Sequence, residues 1–543
     1  MPEQVESARR FASGEPRTFA AGEAIYAIGE RATSIWLVLE GSIEVTRRDG
    51  PDREALFTTY TPGQFTGEIS QLAGSPSLAA ARAGENGCLA VPFDTEHLRA
   101  LIVGSAEVGE LVMRALILRR VGLIATAGAG SVLVGDPESA GLRRIQRFLT
   151  LSGYPVEVLE TLGDGQGPAL VERLGVLPEE LPLMLCPDGT VLKDPTTEEV
   201  AACLGITPEL DPERLYDVAI VGAGPAGLAA AVYAASEGLS AIVLDAKARG
   251  GQAGTSSRIE NYLGFPTGIS GGALTGRAFM QALKFGAEVA IPVEVRRLEC
   301  GPPGEPMVLD LSGNRRVRAR TVVIASGARY RRPIIENLGD FEGTGVSYWA
   351  SPIEARLCAG EEVAVVGGGN SAGQAVAFLA PQVRKLNLVV RRPLVETMSR
   401  YLVDRITALP NVEIQVGKEV AALEGDQTGL AAAIFRNRVD GAESRCAMRH
   451  LFLFLGAEPN AEWAASCIDT DHAGFITTGA GFSDAAAAGR TALPLETSHP
   501  AVFAIGDVRA GSTKRVAAAV GEGAAVVAQI HLALTHRTGG RHA

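Results

Sequence analysis

The chain has 543 residues, 46% of them hydrophobic and 21% charged, and a net charge of −12. At ~150 residues per domain that length accommodates three or four domains with an ordinary globular composition. The acidic balance argues against a nucleic-acid-binding body, and no run of ~18 apolar residues is free of charges, so neither a nucleic-acid partner nor a membrane span is expected.

In chain order, the acidic start Met1-Pro2-Glu3-Gln4-Val5-Glu6 has no apolar segment behind it, unlike a signal peptide, which makes the cytoplasm the expected compartment. From Glu23 to Val45 apolar and polar residues alternate, with turns expected at Gly29-Glu30 and Glu40-Gly41. Leu98, Leu101, Ile102, Val108, Leu111, Val112 and Leu116 then recur at helical spacing, so a helical tail over 95–124 closes a small β-roll. After a glycine-rich hinge, Thr126 to Gly130, the pattern predicts a strand at Ser131–Gly135, a helix over 138–152 and a strand at Val156–Glu160. A helix near 168–174, a strand at 183–186, a Pro-Asp-Gly turn and a helix over 197–204 complete this βαβ…ββα unit. Thr207 to Arg214 is a polar, proline-containing linker. From Tyr216 the signature becomes strand, glycine turn, alanine-rich helix, strand, first over 216–245 and again over 361–390, a doubly wound α/β pattern present twice.

The first glycine turn, Gly222-Ala-Gly224-Pro-Ala-Gly227, has the spacing for a tight turn, a close pyrophosphate approach and close helix packing. Free N–H groups at the helix start favour the negative phosphates, and Asp245 ends the next strand, where a carboxylate accepts from a ribose diol. The second turn is Gly367-Gly368-Gly369-Asn370-Ser371-Ala372, and its following strand ends in Arg391-Arg392 instead of an acid. Guanidinium groups there pair with a 2′-phosphate, which favours NADPH over NADH; the alternative is a solvated strand end.

Near the C-terminus, Val502-Phe-Ala-Ile-Gly506-Asp507 precedes Lys514-Arg515-Val516-Ala517 and a long alanine-rich helix. With Gly250-Gly251-Gln252, Asn261, Ile324 to Ala328 and Leu455-Gly456, this order resembles low-molecular-weight thioredoxin reductases over about 330 residues from 213 on. The resemblance implies an FAD domain (213–334 and 456–543) enclosing an NAD(P)H domain (335–455). It implies that Asp507 meets the FAD ribityl chain, that the helix from Val516 and Ala517 points its N–H groups at the flavin, that the lobes hinge near 333–337 and 455–458, and that the chain is a homodimer. Residues 131–206 resemble a thioredoxin-like fold, with Leu181-Pro182 placed like that fold's cis-proline. Residues 1–125 resemble a cyclic-nucleotide-binding domain, with Gly63-Gln-Phe-Thr-Gly67-Glu68 matching its phosphate cassette and Gly67 and Glu68 its ligand residues. The implied fold class is α/β: two nested doubly wound nucleotide-binding domains behind a β-roll and a small thioredoxin-like domain.

Three departures qualify the resemblance. Gly345-Val-Ser-Tyr348, which precedes the redox Cys-x-x-Cys in the family, is followed by Trp349-Ala-Ser351-Pro352, so both thiols of a disulfide shuttle are replaced. Seven cysteines, odd in number and widely spaced, speak against a disulfide framework; Cys358 and Cys186 read as core residues and the middle unit as redox-inert. In the front cassette Ser77 stands at the phosphate-neutralising arginine position, with Arg82 at a second, outward-facing one, so ordinary cyclic-nucleotide binding is not expected. The function expected is hydride transfer from NADPH to FAD and on to a small-molecule or small redox-protein acceptor, with no metal. The alternatives are a ferredoxin- or flavin-type NADP reductase, a direct disulfide reductase assisted by Cys358, and a nucleotide- or redox-sensing regulatory flavoprotein.

Overall fold

A computed structural model describes residues 2–48, 54–67, 69–125, 131–162, 165–256, 258–302, 305–426, 429–479 and 492–539. In the front domain the strands Ile35–Arg48 and Ala80–Phe93 pair antiparallel at the centre of a five-stranded sheet. Alternate side chains, including Val38, Ile43, Val45, Ala81 and Ala83, turn inward onto Phe19, Trp36 and Tyr60. Gly41 does not end a strand as expected. At φ 71° it forms a bulge inside Ile35–Arg48, packed against the Gly87 carbonyl where no side chain fits. The single helix expected over 95–124 is two, Thr95–Gly104 and Ala106–Ala125, because Ser105 between them is extended at φ −123° and ψ 103°.

The middle module has a four-stranded sheet in the order Glu157–Glu160, Val132–Gly135, Leu183–Leu185, Val191–Lys193. Its first pair is parallel and the others antiparallel, with helices Ala140–Leu151, Gln166–Leu174 and Thr197–Cys203 around it. The Leu181–Pro182 peptide bond is cis. Here one expectation is corrected: Cys186 and Cys203 form a disulfide, their Cα atoms 6.3 Å apart. A spacing of 17 residues hides the pair, because only the packed fold brings the strand end and the helix end together.

Both nucleotide-binding lobes follow from βα turns. In the first lobe, the strands Glu288–Ala290, Ala241–Leu244, Leu215–Val221 and Arg315–Ile324 lie parallel in that order. Val502–Ala504 joins Arg315–Ile324 in parallel, and an antiparallel pair, Met307–Leu311 and Val295–Glu299, extends the same sheet. The second lobe is a five-stranded parallel sheet in the order Val346–Ser347, His450–Leu453, Glu362–Val366, Lys385–Val390, Val412–Val416. The chain crosses between lobes at a two-stranded ribbon, Ala328–Tyr330 against Ala457–Pro459. The rear crossing coincides with the expected hinge. The front one lies a few residues earlier than 333–337, because Ile335 and Leu338 are packed into the second lobe.

One apolar core runs continuously through the front domain, the middle module and the first lobe, beside a smaller separate core in each of the first two, and the second lobe has two cores of its own. The C-terminal helix Val516–Gly539 is long and apolar enough over Val516–Thr535 to cross a membrane, by length and composition. It lies against helix Pro225–Ser236, with Val526, Val527 and Ile530 buried and Gly523 too close to the Ala226 carbonyl for a side chain.

Candidate active site

The first glycine turn joins strand Leu215–Val221 to helix Pro225–Ser236. Gly222 sits at φ 113°, and a Cβ there would collide with the Ala325 carbonyl; one at Gly227 would collide with the Gly222 carbonyl. Gly224 is different: nothing lies within 4 Å of where its Cβ would be. Two glycines are thus demanded by the protein and the third leaves open space, the cradle a pyrophosphate requires. Asp245 braces the turn. Its carboxylate accepts the N–H groups of Ala223 at 2.8 Å, Lys247 at 2.8 Å and Ala248 at 3.2 Å. Burial nevertheless pushes its pKa above the usual carboxylate range. Gly251 begins a short helix whose Gln252 amide donates to the Ala328 carbonyl, fastening the loop to the strand end at the lobe crossing.

A cavity of about 2180 Å³ opens from this turn. Gly222, Gly224, Asp245, Gly251, Gln252, Asn261, Ala328, Gly506, Asp507, Arg515 and Val516 all line it. Ala517 does not: it is exposed, and Ala519 faces the cavity in its place. The expectation concerns the N–H groups of the first helical turn, which point out of the helix N-terminus at Val516 whichever way the side chains face. Half-buried Asp507 has its pKa raised by burial, partly offset by Lys514, whose ammonium donates to the Asp507 carbonyl. Glu522 holds the adjacent turn, accepting the Gly506 N–H at 2.6 Å and pairing with Arg509 at 2.5 Å.

The second glycine turn opens toward the same cavity, which Asn370, Ser371 and Gln374 also line. Gly367 at φ 143° lies against the Phe454 carbonyl, and Ala372 is fully buried in the packing position. Asn370 also accepts the Ser399 N–H at 2.7 Å, tying the turn to a neighbouring loop. Gly367, Gly369, Ala372, Arg391 and Arg392 lie outside the cavity lining. Arg391 and Arg392 are exposed at the end of Lys385–Val390, with no ion-pair partner among the described residues. Between the two lobes, Tyr330 stands edge-on to Phe454, ring centroids 5.5 Å apart. An ion pair, Arg405 to Glu260 at 2.6 Å, also crosses.

Trp349 lines the cavity, and its indole N–H donates to Glu354 at 2.7 Å. The guanidinium of Arg147, from the middle module, lies 3.5 Å from the centre of the Trp349 ring. Sequence reasoning missed this contact. The only signal is the pair Arg143 and Arg147, four apart on one face of helix Ala140–Leu151. Cys358 is buried, its thiol donating to the Ala355 carbonyl and pushed up to about 11 by burial. A second thiol pair went unforeseen, Cys300 with Cys467, whose S–H also donates to the Leu298 carbonyl at 3.2 Å.

In the front domain Ser77 is buried and its hydroxyl donates to the Ala79 carbonyl at 2.7 Å, while Arg82 pairs outward with Glu44 at 3.0 Å. Glu68 lies outside the described residues. The Gly67 carbonyl accepts from Arg119 at 2.8 Å, a guanidinium that also stacks 4.4 Å from the centre of the Tyr60 ring. A small cavity of about 260 Å³, which Arg119 also lines, lies between Gly63–Phe65 and helix Ala106–Ala125.

The sequence pattern of the family described as pyridine nucleotide-disulphide oxidoreductase matches residues 216–523, and that of the cyclic nucleotide-binding domain matches residues 16–104. The thioredoxin reductase of Listeria monocytogenes is 30% identical over 311 residues, covering 57% of this chain and 91% of that protein. The NADPH-dependent thioredoxin reductase 3 of Arabidopsis thaliana is 31% identical over 317 residues, covering 57% of each. Among solved structures, Lactococcus lactis thioredoxin reductase in its FR conformation is 26% identical with a TM-score of 0.54, covering 59% of this chain and 99% of that one. The family pattern spans more than half of the chain and includes both glycine turns and the Gly506–Asp507 turn: the chain belongs to the pyridine nucleotide-disulphide oxidoreductase family, as an FAD- and NADPH-dependent oxidoreductase of thioredoxin-reductase type.

Proposed function

We propose that this oxidoreductase delivers electrons from its flavin directly to an acceptor, a small molecule or a small redox protein, and not through a Cys-x-x-Cys of its own. The observation that carries the reading is the wall formed by Tyr348, Trp349 and Glu354. Where the family resemblance calls for two thiols, the cavity meets an indole under a guanidinium, and no cysteine lines it among the described residues. Cys358 is no substitute, being a buried thiol held protonated at neutral pH.

When bound, FAD supplies a two-electron centre that takes hydride from NADPH and releases the electrons to the acceptor. The chain's own residues bind and orient. Gly222, Gly224 and the N–H groups starting helix Pro225–Ser236 hold the FAD pyrophosphate, Asp245 its ribose and Asp507 its ribityl chain. Asn370 and Ser371 present the nicotinamide half of NADPH to the same cavity, and Arg391 and Arg392 meet its 2′-phosphate. Such transfer depends on positioning, which explains why no acid–base dyad is needed.

We read residues 131–206 as a thioredoxin-like module serving in docking and the front domain as a cyclic-nucleotide-binding fold that does not take an ordinary cyclic nucleotide. Buried Ser77 offers no cation, so a cyclic phosphate would lie unpaired there. The test of the main reading is anaerobic stopped-flow reduction of the bound flavin by NADPH and NADH. The same sample is then reoxidised with dithiol proteins, ferredoxin, quinones and oxygen. Bleaching by NADPH with rapid reoxidation by an acceptor of any of these classes is expected. A flavin that neither nucleotide bleaches sinks the reading.

A further inference from the structure

The two nucleotide-binding lobes are joined covalently only at the ribbon 328–330 and 457–459, so side-chain contacts must set their relative orientation. Two contacts are direct, Tyr330 with Phe454 and Arg405 with Glu260. A third runs through the middle module, because helix Ala140–Leu151 is fastened to both lobes.

Its C-terminal end is fixed to the first lobe. The Arg249 guanidinium donates to the Leu151 carbonyl at 3.0 Å, lies 5.0 Å from the centre of the Phe279 ring, and fills the space beside Gly153. Carbonyls at a helix C-terminus are the negative end of the helix dipole, the favoured place for a cation. Arg120 of the front domain adds a bond to the Gly153 carbonyl at 3.1 Å. One and two helical turns earlier the same helix grips the second lobe. Arg147 stacks on Trp349 at 3.5 Å, and Arg143 donates to the Gly343 carbonyl at 3.3 Å. Glu354 fixes the indole at its N–H edge, accepting from it at 2.7 Å. The segment between the two grips is α-helix, a stiff spacer ~6 Å long, so displacing the second lobe against the first must break the Arg147–Trp349 stack.

We infer that Arg147 and Trp349 are positioning residues for the proposed transfer from NADPH to FAD, a strap holding the second lobe so that Asn370 and Ser371 face the flavin side of the shared cavity. This rests on the NADPH-to-FAD reading above. It also gives the middle module a task that requires no thiol.

The test compares wild-type holoprotein with Arg147→Ala, Trp349→Ala, the double variant, Arg147→Lys and Trp349→Phe. Two measurements are made: small-angle scattering before nucleotide is added, and the limiting rate and NADPH Kd of anaerobic flavin reduction. Losing a desolvated cation–π contact should slow the limiting rate about tenfold while changing the NADPH Kd by less than about twofold. The double variant should be no slower than either single one, because one contact is removed in each case. The lysine and phenylalanine variants, which keep a cation over a ring, should recover most of the rate, and both alanine variants should scatter as a broader, larger particle. Wild-type rates in both alanine variants overturn the proposal, and so does a slowed rate with unchanged scattering, which would make the contact local. If NADPH fails to reduce even the wild type, the functional reading falls, and scattering alone still decides whether the strap holds the lobes.

Discussion

Replacing Arg391 and Arg392 together with alanine tests which nucleotide the second lobe is built for. Both side chains are exposed and lack an ion-pair partner among the described residues, so their removal breaks nothing inside the protein. A hydrogen bond to a charged group contributes ~1.5–3 kcal/mol; at an exposed strand end, water and salt reduce this to ~1 kcal/mol per arginine. Two contacts to a 2′-phosphate therefore sum to about 2 kcal/mol, or roughly 30-fold in Kd. NADP⁺ should bind about 30-fold more weakly by calorimetry, NAD⁺ should be unaffected, and the gap should narrow as salt rises. Thermal stability should not change. Equal weakening of both nucleotides would show a damaged glycine turn, and unchanged NADP⁺ affinity would make the pair a solvated strand end; either result refutes the argument.

Gly224→Val fills open space in the cradle, and the backbone there, φ −75° and ψ −178°, suits any residue. The FAD-free chain should melt as before while the purified protein loses its FAD absorbance; full FAD occupancy would contradict the assigned pyrophosphate position. Glu522→Ala strips Arg509 of a largely buried partner, side-chain exposures being 21% and 17%, and frees the Gly506 N–H. Urea unfolding should show a loss of about 3 kcal/mol, and a loss below about 1 kcal/mol would mean the pair behaves as a surface one. His450, at the cavity wall, has its pKa lowered from 6.5 chiefly by burial. The unfolded chain gains a proton near that pH and the folded chain resists it until lower pH. Stability should therefore fall as pH drops below 6.5, and His450→Gln should flatten that part of the profile in denaturant titrations.

Both glycine turns were readable in the sequence because backbone collision, a local matter, fixes their spacing: Gly222 and Gly227 answer to the Ala325 and Gly222 carbonyls. Asp507 was reached by another route, the resemblance of Gly506-Asp507 and the helix after it to the second flavin motif of thioredoxin reductases. What escaped reading depends on contacts between distant segments. Arg147 meets Trp349 across about 200 residues of chain, and Cys300 meets Cys467 only once the first lobe has closed. Gly41 and Ser105 failed in the opposite way. Each looks like punctuation, yet one sits in a bulge that the long pairing of Ile35–Arg48 carries through, and the other splits a helix that apolar spacing alone would continue.

The continuous core has a consequence for how the chain unfolds. Leu72 and Phe93 of the front domain, Phe148 and Met184 of the middle module, and Leu283 and Ile324 of the first lobe belong to one apolar cluster, while Val365 and Leu388 of the second lobe belong to another. Segments that share a core lose their packing together, and segments with separate cores melt separately. The front domain and the middle module keep smaller cores of their own, around Trp36 and Leu183, and the shared core couples both to the first lobe. The front half is not an appendage on a reductase, since cutting it away would strip the first lobe of part of its own interior.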